Sequence, residues 1–382
     1  MQSQEVQLNV LVLMEKLVDR VHAMHFGSAM GFRDSYSLEA VLEGSVHMDV
    51  TNIYAVLYSL RIRHYNNLVS SGKQTWQSYV NEALSHVNTQ HLLSNVVAPR
   101  PFSVGLIGDA FRACSPLPDV GGASFVVVRG VSALLLPASR FAKHAILQVA
   151  SQFNFLESKT PQYTPVDQYL EDLTQGPQAS LGSLAALLIR DKWFNRSDPN
   201  AAFFHGWASC YQGGYFMPYK ISDERQGRLL TFIANKIHEL SIFAQWGAPD
   251  VGEFSLMQVF TAAPSYQDAA RCPVDGSFGE KICALLVVEQ YRAVARIAAM
   301  RSVRIKARVP LHLTLVGQGA FNNPPSVMKA AFEAVYSTVR DYEVDVFIHG
   351  YNDNDVEKIT NSVPADMVLG KIMPATEFFS KI

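Results

Sequence analysis

The chain has 382 residues, 48% of them hydrophobic, and its 32 Lys and Arg nearly balance 34 Asp and Glu for a formal net charge of −2. That length accommodates one large domain or two ordinary ones around a sizeable core. Balanced charge without a Lys/Arg block argues against nucleic acid or a polybasic membrane surface as partner. The four cysteines, Cys114, Cys210, Cys272 and Cys283, show no CxxC spacing, so neither a disulfide framework nor a zinc site is expected and a reducing compartment fits. The opening Met-Gln-Ser-Gln-Glu-Val-Gln has no basic, apolar leader pattern. The most apolar segments, 124–136 and 284–300, carry Arg129, Glu289, Arg292 and Arg296 and read as buried strand and helix rather than spans. A soluble, intracellular-type globular protein without membrane insertion is the expectation.

In chain order, residues 5–30, 37–66 and 73–95 place their apolar positions at mostly helical spacing. Pro99-Arg100-Pro101 closes that region, because proline restricts itself and the residue before it. The expected division is a helical region over 1–98 and a second domain over 99–382. Strands are predicted at 103–107, 124–128 and 131–136, a helix at 139–157 and a polar loop at 158–166. A long helix follows at 177–194, then a segment over 207–216 broken by Gly213-Gly214, and a helix at 222–240. The remainder reads as a strand at 256–261, a helix at 279–301, a strand at 311–316, a helix at 325–340 and a strand at 344–348. Strands alternating with helices predict an α/β sheet flanked by helices.

The most informative stretch is 309–325. An apolar strand (Leu311, Leu313, Leu315, Val316) breaks into a turn carrying Gly317 and Gly319, followed by Asn322-Asn323-Pro324-Pro325 and a helical pattern. Strand, glycine turn and helix aim backbone N–H groups at an anion, and glycine lets the main chain approach where a Cβ would intrude. Phe321 falls at the rim of that cradle, placed to lie against a sugar or base. A tight βα turn that binds nothing has the same spacing.

Two further stretches are candidates for the walls. Thr174-Gln175-Gly176-Pro177 starts the 177–194 helix, with Thr174 placed to cap it and Pro177 at the first turn. Gln258-Val259-Phe260-Thr261-Ala262-Ala263-Pro264 is an apolar strand ending in small residues, and open α/β sheets bind ligands at the carboxyl ends of their strands. Upstream, the Gly/Pro-rich loop 246–253 carries Asp250 and Glu253, and Asp268 and Asp275 lie before the 279–301 helix. Carboxylates on such loops suit acid/base work at an anomeric carbon, although solvated loop acids look the same. The histidines show no ligand spacing, so no metal is expected. Gln318 interrupts what a dinucleotide fingerprint would need, and no cofactor is expected.

Taken together, Tyr169, Asp172, Thr174-Gln175-Gly176-Pro177, the Gln258-Val259-Phe260 strand and the Leu-Thr-Leu-x-Gly-x-Gly-Ala-Phe-x-Asn turn at 313–322 resemble the atypical macrodomain-type ADP-ribosylhydrolases. That family includes effectors of Legionella that reverse ADP-ribosylation of host proteins, and the likeness is to its arginine-directed members. It covers about 160–350. The resemblance implies a macrodomain-like mixed sheet with an N-terminal helical extension. It further implies a diphosphate loop at Gly317, Gln318, Gly319, Ala320, Phe321 and Asn322, assisted by the helix start near Pro325. Phe321 would lie against the distal ribose with Ala262, Ala263 and Pro264 beside it, and Thr174, Gln175 and Gly176 would shape the pocket.

Asp250 and Glu253 occupy the place of the family's acidic loop, so the catalytic nomination runs Asp250, Glu253, then Asp268. The family's His-x-Asp there reads Gln245-Trp246-Gly247, a departure that touches the catalytic acid and the linkage. The implied activity is hydrolysis of ADP-ribose from a modified side chain, arginine by resemblance, on an ADP-ribosylated host protein reached as a secreted effector. The alternatives are a non-catalytic ADP-ribose reader and a glycine-turn protein for another nucleotide.

Overall fold

The computed structural model describes residues 102–106, 122–129, 144–158, 160–164, 198–246, 257–266, 276–350, 352–364, 367, 369–370 and 372–374. The helical region expected over 1–98, the strand at 131–136 and the helix at 177–194 lie outside these residues.

Eight strands form one mixed sheet: β1 (Phe102–Leu106), β2 (Ser124–Arg129), β3 (Ile146–Ser151), β6 (Ser241–Trp246), β7 (Met257–Ala262), β8 (Val309–Leu313), β9 (Val344–Gly350) and β10 (Met373–Pro374). Their spatial order is β1-β6-β7-β3-β8-β9-β2-β10, and β4 (Tyr211–Gln212) with β5 (Tyr215–Phe216) makes a separate hairpin. From β7 through β10 every pairing is parallel, whereas β6 runs antiparallel to both β7 and β1. The expected α/β sheet flanked by helices is present.

The strand β3 (Ile146–Ser151) stands where a helix was expected over 139–157. Ala145, Ile146, Leu147, Gln148 and Val149 are all essentially inaccessible. A central parallel strand is covered on both faces, so its apolar run carries no alternation to set it apart from a buried helix. The helix expected to 240 ends earlier: α1 (Asp223–Lys236) passes into one 3-10 turn (Ile237–Glu239) and then directly into β6.

Across one face of the sheet lies α2 (Phe278–Ile305), packed on α3 (Pro325–Val339). The start of α2 carries the Ser-x-x-Glu spacing of a capping box, with the carboxylate reaching one residue further back than the N-cap. Ser277 accepts from Glu280 N at 3.0 Å and the Glu280 carboxylate reaches back to Gly276 N–H. Ile282, Leu286, Tyr291 and Val294 of α2 meet Val327, Ala331 and Phe332 of α3 in the main core. The opposite face buries Leu147, Val149, Phe243, Phe260 and Phe347.

His312 on β8 stacks on Phe347 with ring centroids 5.0 Å apart, and its Nδ1 lies 2.9 Å from Nε2 of buried His349 on β9. After β9 comes α4 (Asp353–Ser362), a helix not foreseen, whose N-cap Asn352 accepts from Asp355 N at 2.9 Å. No helix among the described residues is long and apolar enough to cross a membrane.

Candidate functional site

Because β3, β7 and β8 run parallel, Ser151, Ala262 and Leu313 all leave the sheet at one edge. That edge is the ligand side of an open α/β sheet. Beyond Leu313 the chain leaves the strand ladder, and buried side chains take over. Gln148 Oε1 accepts from Thr314 N at 3.2 Å. The Tyr291 hydroxyl donates to Thr314 O and accepts from Val316 N at 3.1 Å. Burial raises the Tyr291 pKa, which keeps its hydroxyl protonated and able to donate.

The glycine turn follows. Gly317 has φ +84, and a Cβ there would stand 2.6 Å from Ala263 Cβ, so the position excludes side chains on both conformational and steric grounds. The turn closes on itself through Gln318 N to Leu315 O at 3.2 Å, Asn322 N to Gly319 O at 3.0 Å and Asn323 N to Gly317 O at 2.9 Å. These bonds leave the N–H groups of Gly319, Ala320 and Phe321 without an acceptor among the described residues. Gly319 and Ala320 are exposed, and open space surrounds the missing Cβ of Gly319. Successive backbone N–H groups left without a protein acceptor on an exposed turn are the donors an anion-accepting nest uses. The Gln318 amide turns inward and donates to Asn323 O at 3.0 Å.

The expected partner loop is brought against this turn. Buried Gln290 of α2 accepts from Ala262 N at 2.8 Å and donates to Ala262 O at 2.7 Å, pairing with that peptide as a neighbouring strand would. Asn323 Nδ2 donates to Pro264 O at 2.8 Å, and Tyr266 N donates to Phe321 O at 2.9 Å. Ala262, Ala263 and Pro264 are buried, so they floor the turn rather than line open surface. The start of α3 is already faced by a carboxylate: Ser326 Oγ donates to Glu280 Oε1. The Glu280 carboxylate therefore stands at the positive end of that helix.

Sequence reasoning missed the third component, the β4–β5 hairpin. Gly213 (φ 56) and Gly214 (φ 82) form its two-residue turn, and the Gly-Gly pair flanked by Tyr and Phe was the available signal. Phe153 N donates to Gly214 O at 2.9 Å, Asn154 Nδ2 to Gly213 O at 3.2 Å and Ser265 N to Phe216 O at 2.7 Å. Buried Tyr215 donates its hydroxyl to Ser158 O and sets its ring 5.5 Å from that of Phe321 at 64°. Gln152 and Glu157, both buried, belong to the same β3-end loop, and Gln152 Nε2 donates to Ser158 O at 2.9 Å.

Thr174, Gln175, Gly176, Asp250, Glu253 and Asp268 lie outside the described residues, but the points where some of their segments attach are fixed. The segment with Asp250 and Glu253 leaves from Trp246 and returns at Met257, which pair with each other at the start of β7. Ala262 ends that strand about 17 Å away at roughly 3.3 Å per residue. Asp268 instead follows Tyr266, which bonds Phe321, by two residues, at most about 7 Å of chain. Among the described residues no three His, Cys, Asp or Glu gather as a metal site.

No family model and no curated protein matches the sequence. Among solved structures, the chain is similar to poly(ADP-ribose) glycohydrolase from Deinococcus radiodurans in complex with ADP-ribose, at TM-score 0.37 and 12% identity over 72% of this chain and 96% of that one. A second crystal form of that complex gives TM-score 0.35 and 12% identity over 71% of this chain and 94% of the other. A likeness of this size assigns no residue its role.

Proposed function

We propose that this protein binds ADP-ribose and hydrolyses its bond to a protein side chain, with arginine as the modified residue. The observation that carries the reading is the row of N–H groups at Gly319, Ala320 and Phe321 that no described acceptor takes up, on an exposed turn beside the half-buried ring of Phe321 at the carboxyl edge of the sheet. A diphosphate seated there meets preorganised donors, and the attached ribose reaches Phe321. The macrodomain-type motifs at 174–177, 258–260 and 313–322 supply the choice of ADP-ribose over other nucleotides.

Cleavage of the N-glycosidic bond develops positive charge at the anomeric carbon. A carboxylate stabilises that charge and takes a proton from the attacking water. The C–N bond breaks, the water oxygen joins the carbon, and the proton passes to the departing guanidine nitrogen. Such help is worth ~10²–10⁴ in rate. Of Asp250, Glu253 and Asp268, chain connectivity favours Asp268, two residues from the bond between Tyr266 and Phe321.

The test is incubation of the purified protein with arginine-, serine- and glutamate-linked ADP-ribosylated proteins, reading released ADP-ribose. Release from the arginine-linked substrate supports the proposal, and binding without release from any substrate identifies a reader. The reader is the second reading, favoured by the attachment of the Asp250 and Glu253 segment at the opposite edge of the sheet.

A further inference from the structure

We propose that Tyr215 is a positioning residue, fixing the ring of Phe321 against the sugar that follows the diphosphate. The inference rests on the ADP-ribose reading. Phe321 is held at two places by different parts of the chain. Its carbonyl accepts from Tyr266 N at 2.9 Å and from Asn323 Nδ2 at 3.4 Å, which places the backbone. Those bonds leave the side-chain torsions unconstrained.

The ring packs on the main core and meets Tyr215 edge-on, centroids 5.5 Å apart. Tyr215 has little freedom itself. It is 3% exposed, its hydroxyl is tied to Ser158 O, and the carbonyls on either side of it, Gly214 O and Phe216 O, are bonded to the β3 and β7 loops. Phe321 therefore meets an immobile partner on one side. Phe321 is otherwise half-buried against the main core and keeps its exposed part in the same turn as exposed Gly319 and Ala320. A sugar joined to a phosphate on the amides of that turn meets a ring already oriented, so it does not have to order that ring on binding.

The experiment compares ADP-ribose with ADP, which carries the diphosphate but no distal ribose, on the full chain by calorimetric titration. Tyr215→Leu, Tyr215→Phe, Phe321→Leu and the double Leu variant are compared with wild type. Tyr215→Leu is expected to weaken ADP-ribose about three- to tenfold, the worth of an oriented aromatic contact, and to leave ADP within twofold. Tyr215→Phe keeps the ring and retains most of the affinity. The double variant is no weaker than Phe321→Leu alone, since Tyr215 acts through that ring.

Unchanged ADP-ribose affinity in Tyr215→Leu overturns the inference. So does equal loss of both ligands, which marks general damage, and so does additivity in the double variant. Wild-type protein indifferent to ADP-ribose overturns the underlying reading instead, and is distinguished by failing before any variant is compared.

Discussion

Gly317 lies under Ala263 so closely that a Cβ on the glycine would stand 2.6 Å from the alanine's own. The β8 turn and the β7 loop are thus mated at a point with no room for a methyl group. Gly317→Ala meets a left-handed φ and this overlap together, and is expected to cost about 1–3 kcal/mol of stability. Gly319→Ala meets nothing within 4 Å and should melt within a few degrees of wild type, yet bind ADP-ribose several-fold more weakly because its methyl group crowds a ligand approaching the turn's N–H groups. Thermal denaturation and calorimetric titration separate the two outcomes.

The Tyr291 hydroxyl serves Thr314 O and Val316 N at once, inside the core. Tyr291→Phe keeps the ring that packs on Phe332 and leaves two buried backbone groups unsatisfied, for an expected loss of about 1–3 kcal/mol in urea denaturation. Affinity for ADP-ribose should fall as well, because those two groups set the start of the glycine turn.

Asp268→Asn should lower the rate of ADP-ribose release by ~10²–10⁴ while changing ADP-ribose affinity less than about threefold. Asp250→Asn and Glu253→Gln, on a segment rooted at the other edge, should lower it far less. Single-turnover release assays on the same arginine-linked substrate decide the order.

Burial first, and the nearby His312 second, hold the His349 pKa well below its usual 6.5. The unfolded chain binds a proton on this ring below about pH 6.5 and the folded chain does not. The stability due to the neutral ring is therefore complete above that pH and declines as pH falls, by up to ~1.4 kcal/mol per unit. Urea midpoints should drop between pH 6.5 and 5. The slope should be shallower in His349→Leu, even though that variant starts lower for want of the bond to His312.

How much of this was legible in the sequence depended on whether local pattern or tertiary partner decided the structure. The long helix α2 and the strands β8 and β9 follow their apolar spacing within a few residues. The residues of the glycine turn and of the Ala262–Pro264 loop were also recoverable, because Gly317 and the small residues announce a close approach on their own. The strand β3 was not, since burial on both faces erased its alternation. The residues that hold the site in place, Gln148, Gln290, Tyr291 and Tyr215, carry no sequence mark of their work. Each acts through a partner remote in sequence: Gln290 reaches Ala262 across 28 positions and Gln148 reaches Thr314 across 166.

The hairpin bearing Tyr215 is stitched to the β3 loop through Phe153, to the β7 loop through Ser265 and to the β8 turn through Phe321. The rim is consequently one piece rather than a set of interchangeable parts. Anyone grafting new specificity onto this scaffold by loop exchange must transplant the hairpin with whichever loop is changed, because a foreign segment at any one of the three positions inherits the others' unmet bonds.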